Sequence, residues 1–151
     1  EIFDPGAGTF SPAGTMLSRR HKHDSVLLAD GRILLTGGSD QRDESGRYDT
    51  SEIYAPDTGV FTAGRRLRQK RYKHFGTSLR LPNGDVLLLG GAAAPERFDA
   101  ATQRFLPLPG YNFAANESYA AAAMAAHGHV LFCGGYNQGI VASSATWLIL
   151  P

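Results

Sequence analysis

The chain has a single cysteine, Cys133, which excludes an internal disulfide and leaves the redox compartment open. No apolar stretch approaches the ~20 residues that a membrane-spanning helix needs. Neither sign of charge dominates: 15 Lys and Arg against 14 Asp and Glu leave a net charge of +1. Such a balance offers no global field toward nucleic acid or a membrane surface. The one tryptophan, Trp147, is followed by Leu148, so no Trp-Asp dipeptide occurs. Gly-x-Ser-x-Gly, Gly-x-x-x-x-Gly-Lys and Cys-x-x-Cys are all missing. No signal peptide is visible, and the first residue is Glu1 rather than Met. The chain is therefore expected to be trimmed or excerpted, and its localisation is not legible.

Glycine is plentiful, with 18 residues, and it is placed regularly. Three apolar runs each end in a glycine pair: Ile33-Leu34-Leu35-Thr36-Gly37-Gly38, Val86-Leu87-Leu88-Leu89-Gly90-Gly91 and Val130-Leu131-Phe132-Cys133-Gly134-Gly135. The pairs are spaced 53 and 44 residues apart, a period that marks a repeat array. Aromatic pairs seven residues apart repeat with them: Phe3 and Phe10, Tyr54 and Phe61, Phe98 and Phe105. Asp4-Pro5-Gly6, Ala55-Pro56-Asp57 and Asp99-Ala100-Ala101 lie between the partners as turn formers. Before each glycine pair stands another hairpin, turning at Asp30-Gly31, Asn83-Gly84 and His127-Gly128.

Each unit thus reads as four antiparallel strands, A to D. Strand B is apolar at every position, whereas a strand with one wet face would alternate. Continuous apolarity implies a sheet stacked between two others, and radial stacking of four-stranded sheets is a β-propeller. Paired glycines let neighbouring backbone approach closely. The stretch from Tyr119-Ala120 to Ala126 favours helix by propensity, yet its place before His127-Gly128-His129 and strand B predicts strand A of the third unit.

These motifs, "HDSVLLADGRILLTGG" with "SEIYAPDTGVF" and "SLRLPNGDVLLLGG" with "ERFDAATQRF", resemble kelch repeats of the kind found in galactose-oxidase-like propellers. The resemblance covers essentially the whole chain and implies an all-β fold of kelch-type blades. A WD40 reading fits badly. The expected units are a partial blade at 1–18, blades at 19–67 and 68–110, and a partial blade at 111–151. About three blades are short of the usual four to eight. The chain is then part of a longer propeller, or half of a ring closed by a homodimer. Against the dimer, the C strand around Trp147 competes with Glu1-Ile2-Phe3.

Antiparallel order puts the A–B and C–D turns on one face and the longer B–C and D–A loops on the other. Binding usually lives on such loops. Candidate ligand residues there are Arg19, Arg20 and Lys22 in one D–A stretch, and Arg66, Arg68, Lys70, Arg71, Tyr72 and Lys73 in the next. Tyr111 and Asn112 come from the third D–A stretch, and Tyr136 and Asn137 from a B–C loop. Such a face suits a protein or glycan ligand of anionic character, held by charge-assisted hydrogen bonds. The bland alternative is solvated loops with surface ion pairs of little individual worth.

Arg20 and Arg71 stand three residues before His23 and His74; in the resembled proteins this element opens strand A, and bonding loop carbonyls is as good a role for it as ligand contact. The third unit is expected to break the pattern with Ala115 and Ser118. His21-Lys22-His23 and His127-Gly128-His129 fall on opposite faces, so no metal site and no cofactor is expected. Asn116-Glu117-Ser118 fits a glycosylation acceptor. Cys133 reads as a buried, inert thiol. The rival functions are a galactose-oxidase-like copper enzyme, which needs a Tyr–Cys crosslink that Cys133 and Tyr136 would supply, and a purely structural assembly unit.

Overall fold

The structure is a computed structural model that describes residues 1–113 and 117–151. Among the described residues it is all-β, with thirteen strands in four antiparallel sheets. An N-terminal hairpin pairs β1 (Ile2–Asp4) with β2 (Thr9–Ser11). Sheet I orders β3 (Asp24–Leu27), β4 (Ile33–Thr36), β5 (Ser51–Ala55) and β6 (Val60–Ala63). Sheet II orders β7 (Ser78–Arg80), β8 (Val86–Leu88), β9 (Glu96–Asp99) and β10 (Arg104–Pro107). Sheet III holds β11 (Ala121–Met124), β12 (Val130–Cys133) and β13 (Thr146–Ile149). Spatial order equals chain order in every sheet, so the two kinds of hairpin turn share one face and the longer loops the other. The alanine-rich segment is a strand, as its place in the repeat predicts.

Burial on both sides explains why strand B of sheet II carries no polar residue. Val86 and Leu88 pack toward sheet I with Leu28, Leu34, Ile53 and Phe105. Leu87 and Leu89 pack the other way, with Val130, Phe132, Ile149 and Phe113. Alternate side chains of one strand thus enter two separate cores. All four are fully buried, each stabilising the stack by about 1.5–3 kcal/mol. The aromatic pairs close the C–D hairpins, with ring centroids 4.9 Å apart for Phe3–Phe10, 4.5 Å for Tyr54–Phe61 and 5.1 Å for Phe98–Phe105.

The first strands of the three larger sheets lie side by side, β3 against β7 and β7 against β11. Asp24 latches the first two: its carboxylate accepts from Thr77 N–H at 3.0 Å and Ser78 N–H at 2.8 Å. The glycine pairs form a second latch. Gly38 N–H donates to Arg71 O at 2.8 Å, and Gly91 N–H to Glu117 O at 3.0 Å. Gly91 has φ of +65°, and a Cβ there would overlap the Tyr72 carbonyl oxygen. Only glycine meets both demands.

Sheet III has an open outer face. Leu131 is 40% exposed and Leu148, its cross-strand partner, 54%. By register these positions match Leu34 and Ile53 of sheet I, which are buried under sheet II. The expectation of a buried Cys133 is corrected here: it points to the same open face as Leu131 and is half-exposed.

Candidate binding site on the loop face

Two buried ion pairs organise the loop face. Arg20 Nη2 meets Glu52 Oε1 at 2.6 Å, and Arg71 Nη2 meets Glu96 Oε1 at 3.2 Å, with all four side chains buried. Each arginine also donates to the carbonyl of the first glycine of a pair, Gly37 or Gly90. Each glutamate accepts two loop N–H groups just upstream of its arginine. Glu52 takes Leu17 and Ser18 at 2.8 and 3.0 Å; Glu96 takes Arg68 and Gln69 at 2.7 and 3.2 Å. Burial lowers the pKa of Arg71, and the Glu96 charge and hydrogen bond work against that fall. Arg20 and Arg71 are therefore brackets that fold the D–A loops back onto the sheet, and their guanidinium groups do not face the surface. Their removal from the ligand set follows from that geometry.

The third unit departs from this pattern, at positions other than those the spacing suggested. The bridges His21 with Ser39 and Ser118 with Tyr136 align Glu117 with Arg20, and Ala120 with His23. Trp147 takes the place of Glu52 and Glu96, being paired with Phe132 as Glu52 is with Leu35. The ion pair is replaced by an aromatic cluster, with Phe113 to Trp147 at 4.9 Å and Phe132 to Trp147 at 5.5 Å. Ala115 and the acceptor Asn116 lie outside the described residues.

Just beyond each of these places the backbone turns left-handed on a non-glycine residue. Lys22, Lys73 and Tyr119 have φ of +55°, +56° and +51°. That conformation costs roughly 1–2 kcal/mol per residue, and a backbone ladder offsets it. Lys73 N–H donates to Lys22 O at 2.9 Å, and Tyr119 N–H to Lys73 O at 2.7 Å. The three residues thus form an arc across the three sheets, where the loops converge.

A cleft of about 140 Å³ opens beside this arc, between Arg47 and Glu44 of one B–C loop, Tyr72 and Lys73, and Ser118, Tyr136, Asn137 and Gln138. Lys73 Nζ sits 4.9 Å from the Tyr72 ring centroid and 5.6 Å from that of Tyr136. The Arg47 guanidinium also lies over the Tyr72 ring, 5.5 Å from its centroid. Tyr119 and Tyr136 rings stand 5.7 Å apart. Partial burial disfavours the Lys73 ammonium, but its interactions with Tyr72 and Tyr136 prevail and hold its pKa above the ordinary lysine value. Among the described residues neither Lys73 nor Arg47 has a carboxylate within ion-pair distance, and Arg47 Nε is buried without a hydrogen-bond partner.

The sequence candidates separate accordingly. Tyr72, Lys73, Tyr136 and Asn137 are brought together in the cleft. Lys22 stands next along the arc but is occupied by Asp43 at 2.8 Å. Arg66 is paired with Asp49 at 2.7 Å and, with Lys70, borders a separate open depression. Arg19 lines another beside Asp40 and Gln41. Arg68 and Asn112 are exposed away from the cleft lining. Tyr111 turns into the second core, where its hydroxyl accepts from Leu150 N–H at 3.0 Å. Arg47 and Glu44, Gln138 and Ser118 stand in stretches that the sequence marks, the B–C loops 39–49 and 136–139 and the D–A stretch 111–118, but are not among the candidate ligand residues; Arg47 sits in a mixed-charge loop where nothing distinguishes it from Arg42.

His127 and His129 lie on the opposite face, beside Asn83 and Arg97. His21 Nε2 engages the Asp40 carbonyl at 2.8 Å. Cys133 lies across from Ala121 and Thr146, while Tyr136 belongs to the cleft. Among the described residues no three His, Cys, Asp or Glu side chains converge as a metal cluster, and no helix is long and apolar enough to cross a membrane. The chain matches no family model and no curated protein.

Proposed function

We propose that the three larger sheets are blades of a kelch-type β-propeller, and that the module is non-catalytic and binds a protein or glycan partner on its loop face. The observation that carries the binding reading is the cleft, where two cations without ion-pair partners among the described residues lie over a buried tyrosine at the convergence of three loops, with a single acid, Glu44, in the lining. Lys22, Arg42 and Arg66 are each paired with a neighbouring acid, whereas Lys73 and Arg47 lie over the Tyr72 ring instead. The propeller reading rests on the side-by-side first strands, the repeated glycine latch and the backbone ladder. The test is a binding screen of immobilised glycans and acidic peptides against the wild type, Lys73→Glu and Arg68→Glu. Loss of a hit in Lys73→Glu with retention in Arg68→Glu is the expected pattern. Equal retention in both variants removes the cleft from the account.

A second reading, the assembly unit, is favoured by the open end of sheet III. Gly135 meets no loop of a following sheet, and Leu131 and Leu148 are uncovered. A second copy of the chain could cover that face as sheet II covers Leu34 and Ile53. Ile149 and Phe3 hold the same register in their units, so one of those two strands must give way in a closed ring. Light scattering after size exclusion tests this reading: a stable dimer supports it, and a monomer at high concentration counts against it.

A further inference from the structure

The cleft has a chemistry more specific than a general basic face. Two cations without an ion-pair partner among the described residues meet in it, Lys73 from the arc and Arg47 from the B–C loop of sheet I, both over the Tyr72 ring. Arg47 Nε is buried with no acceptor among the described residues, as are Arg20 Nε and Arg71 Nε, and it is the rest of the Arg47 guanidinium that offers N–H donors to an oxyanion in the cleft. One carboxylate, Glu44, also lines the cleft, without an ion pair to either cation, and the rest of the lining is neutral. The Asn137 side-chain oxygen is spent on Gly139 N–H and Val141 N–H at 2.9 and 3.1 Å, which leaves its amide nitrogen as the donor. Gln138 and Ser118 add further amide and hydroxyl groups. Tyr119, half-exposed, stands beside the cleft residue Tyr136 and adds an aromatic surface next to it.

We infer that this cleft is a subsite for a single carboxylate-bearing sugar ring, a hexuronate residue of an acidic glycan. Its carboxylate lies between Lys73 and Arg47, its hydroxyls meet Asn137, Gln138 and Ser118, and its apolar ring face rests on tyrosine. The inference rests on the binding reading above and narrows it. A sugar fits better than an acidic peptide on two counts. The cleft is closed to about 140 Å³ rather than drawn out as a groove, and extended peptides dock on sheet edges or long grooves. The uncharged amides and hydroxyl would match a ring bearing several hydroxyls, whereas a glutamate side chain has nothing for them to bond.

The full chain is titrated by calorimetry with galacturonate and its trimer, with galactose, with a hexaglutamate peptide and with sodium sulfate. Lys73→Gln and Arg47→Gln are tested beside the wild type, with Lys73→Arg as the charge-retaining control and thermal unfolding to verify folding. The expected result is uronate binding at least tenfold tighter than galactose or sulfate. It should weaken about tenfold in each Gln variant, the loss of one charge-assisted hydrogen bond, and be kept in Lys73→Arg. Sulfate binding as tightly as uronate overturns the sugar assignment in favour of a plain anion site. Binding of hexaglutamate in a Lys73-dependent way, without uronate binding, also overturns it but leaves the loop-face reading intact. No binding of any probe, or binding indifferent to both Gln variants, overturns both.

Discussion

Arg71 and Glu96 meet at 3.2 Å with both side chains sealed from water, and the same bond recurs one unit earlier between Arg20 and Glu52 at 2.6 Å. Each pair ties the loop that leads into a sheet to that sheet's third strand, β5 through Glu52 and β9 through Glu96. A charge buried without its partner is far more costly than the pair itself is stabilising. Glu96→Ala is expected to lower unfolding stability by about 3–5 kcal/mol, measured by denaturant titration. The double variant Arg71→Met with Glu96→Leu should lose less than Glu96→Ala alone, because no unpaired charge remains. A double variant as damaged as the sum of the singles would show that the pair acts only through its separate backbone hydrogen bonds.

His74 gives the fold an acid limit. It is fully buried, its Nε2 lies 3.1 Å from Thr36 Oγ1, and burial, then the charges of Arg71 and His23, holds its pKa well below the ordinary 6.5. The unfolded chain therefore takes up a proton that the folded chain refuses. Stability from this group is complete above about pH 6.5 and is lost as pH falls below it, by up to about 1.4 kcal/mol per pH unit until the folded value is reached. Unfolding midpoints recorded from pH 8 to pH 5 should decline in the wild type and decline less steeply in His74→Gln. An unchanged slope would assign the acid sensitivity elsewhere, His23 being the next candidate.

Gly91→Ala should be among the most damaging single-methyl changes in the chain. The new Cβ would overlap the Tyr72 carbonyl at a left-handed φ of +65°. Gly110→Ala shares a left-handed φ, +89°, but meets nothing within 4 Å. The conformational term alone is roughly 1–2 kcal/mol, so Gly110→Ala should cost about that and Gly91→Ala clearly more. Thermal unfolding of the two variants reads the difference directly, and equal losses would show that close approach at Gly91 contributes nothing.

The Asp24 latch offers a fourth test. Asp24→Ala strands the Thr77 and Ser78 N–H groups in a buried seam between β3 and β7. Each unsatisfied buried donor costs about 1–3 kcal/mol. Hydrogen exchange should quicken at Thr77 and Ser78 before it does at Leu87 in the middle of sheet II. Uniform protection across all three would mean that the seam opens only on global unfolding.

Much of this molecule is legible along the chain because its determinants are local. Strand, turn and hairpin identity follow from near-neighbour chemistry: Asn83-Gly84 for a turn, Tyr54 and Phe61 across a hairpin, Leu87 and Leu88 facing opposite cores. The glycine pairs announce their own close approaches. Which arginines would reach a ligand was not legible, because Arg68, Arg71 and Lys73 stand within six residues of one another and differ only in what lies across from them. Glu96 on β9 claims Arg71, no acid claims Lys73, and Arg68 contributes its backbone to Glu96 while its side chain goes to solvent. Arg47 joins Lys73 from a segment 26 residues away in the chain, and Glu117 and Trp147 take over the places of the ion pair only through strand register. Sequence alone determined the repeat, the all-β class and the two-sided burial, since each depends on periodicity. The tertiary structure decided which charges are spent internally and which remain open, since that depends on side chains brought together by stacking rather than by spacing.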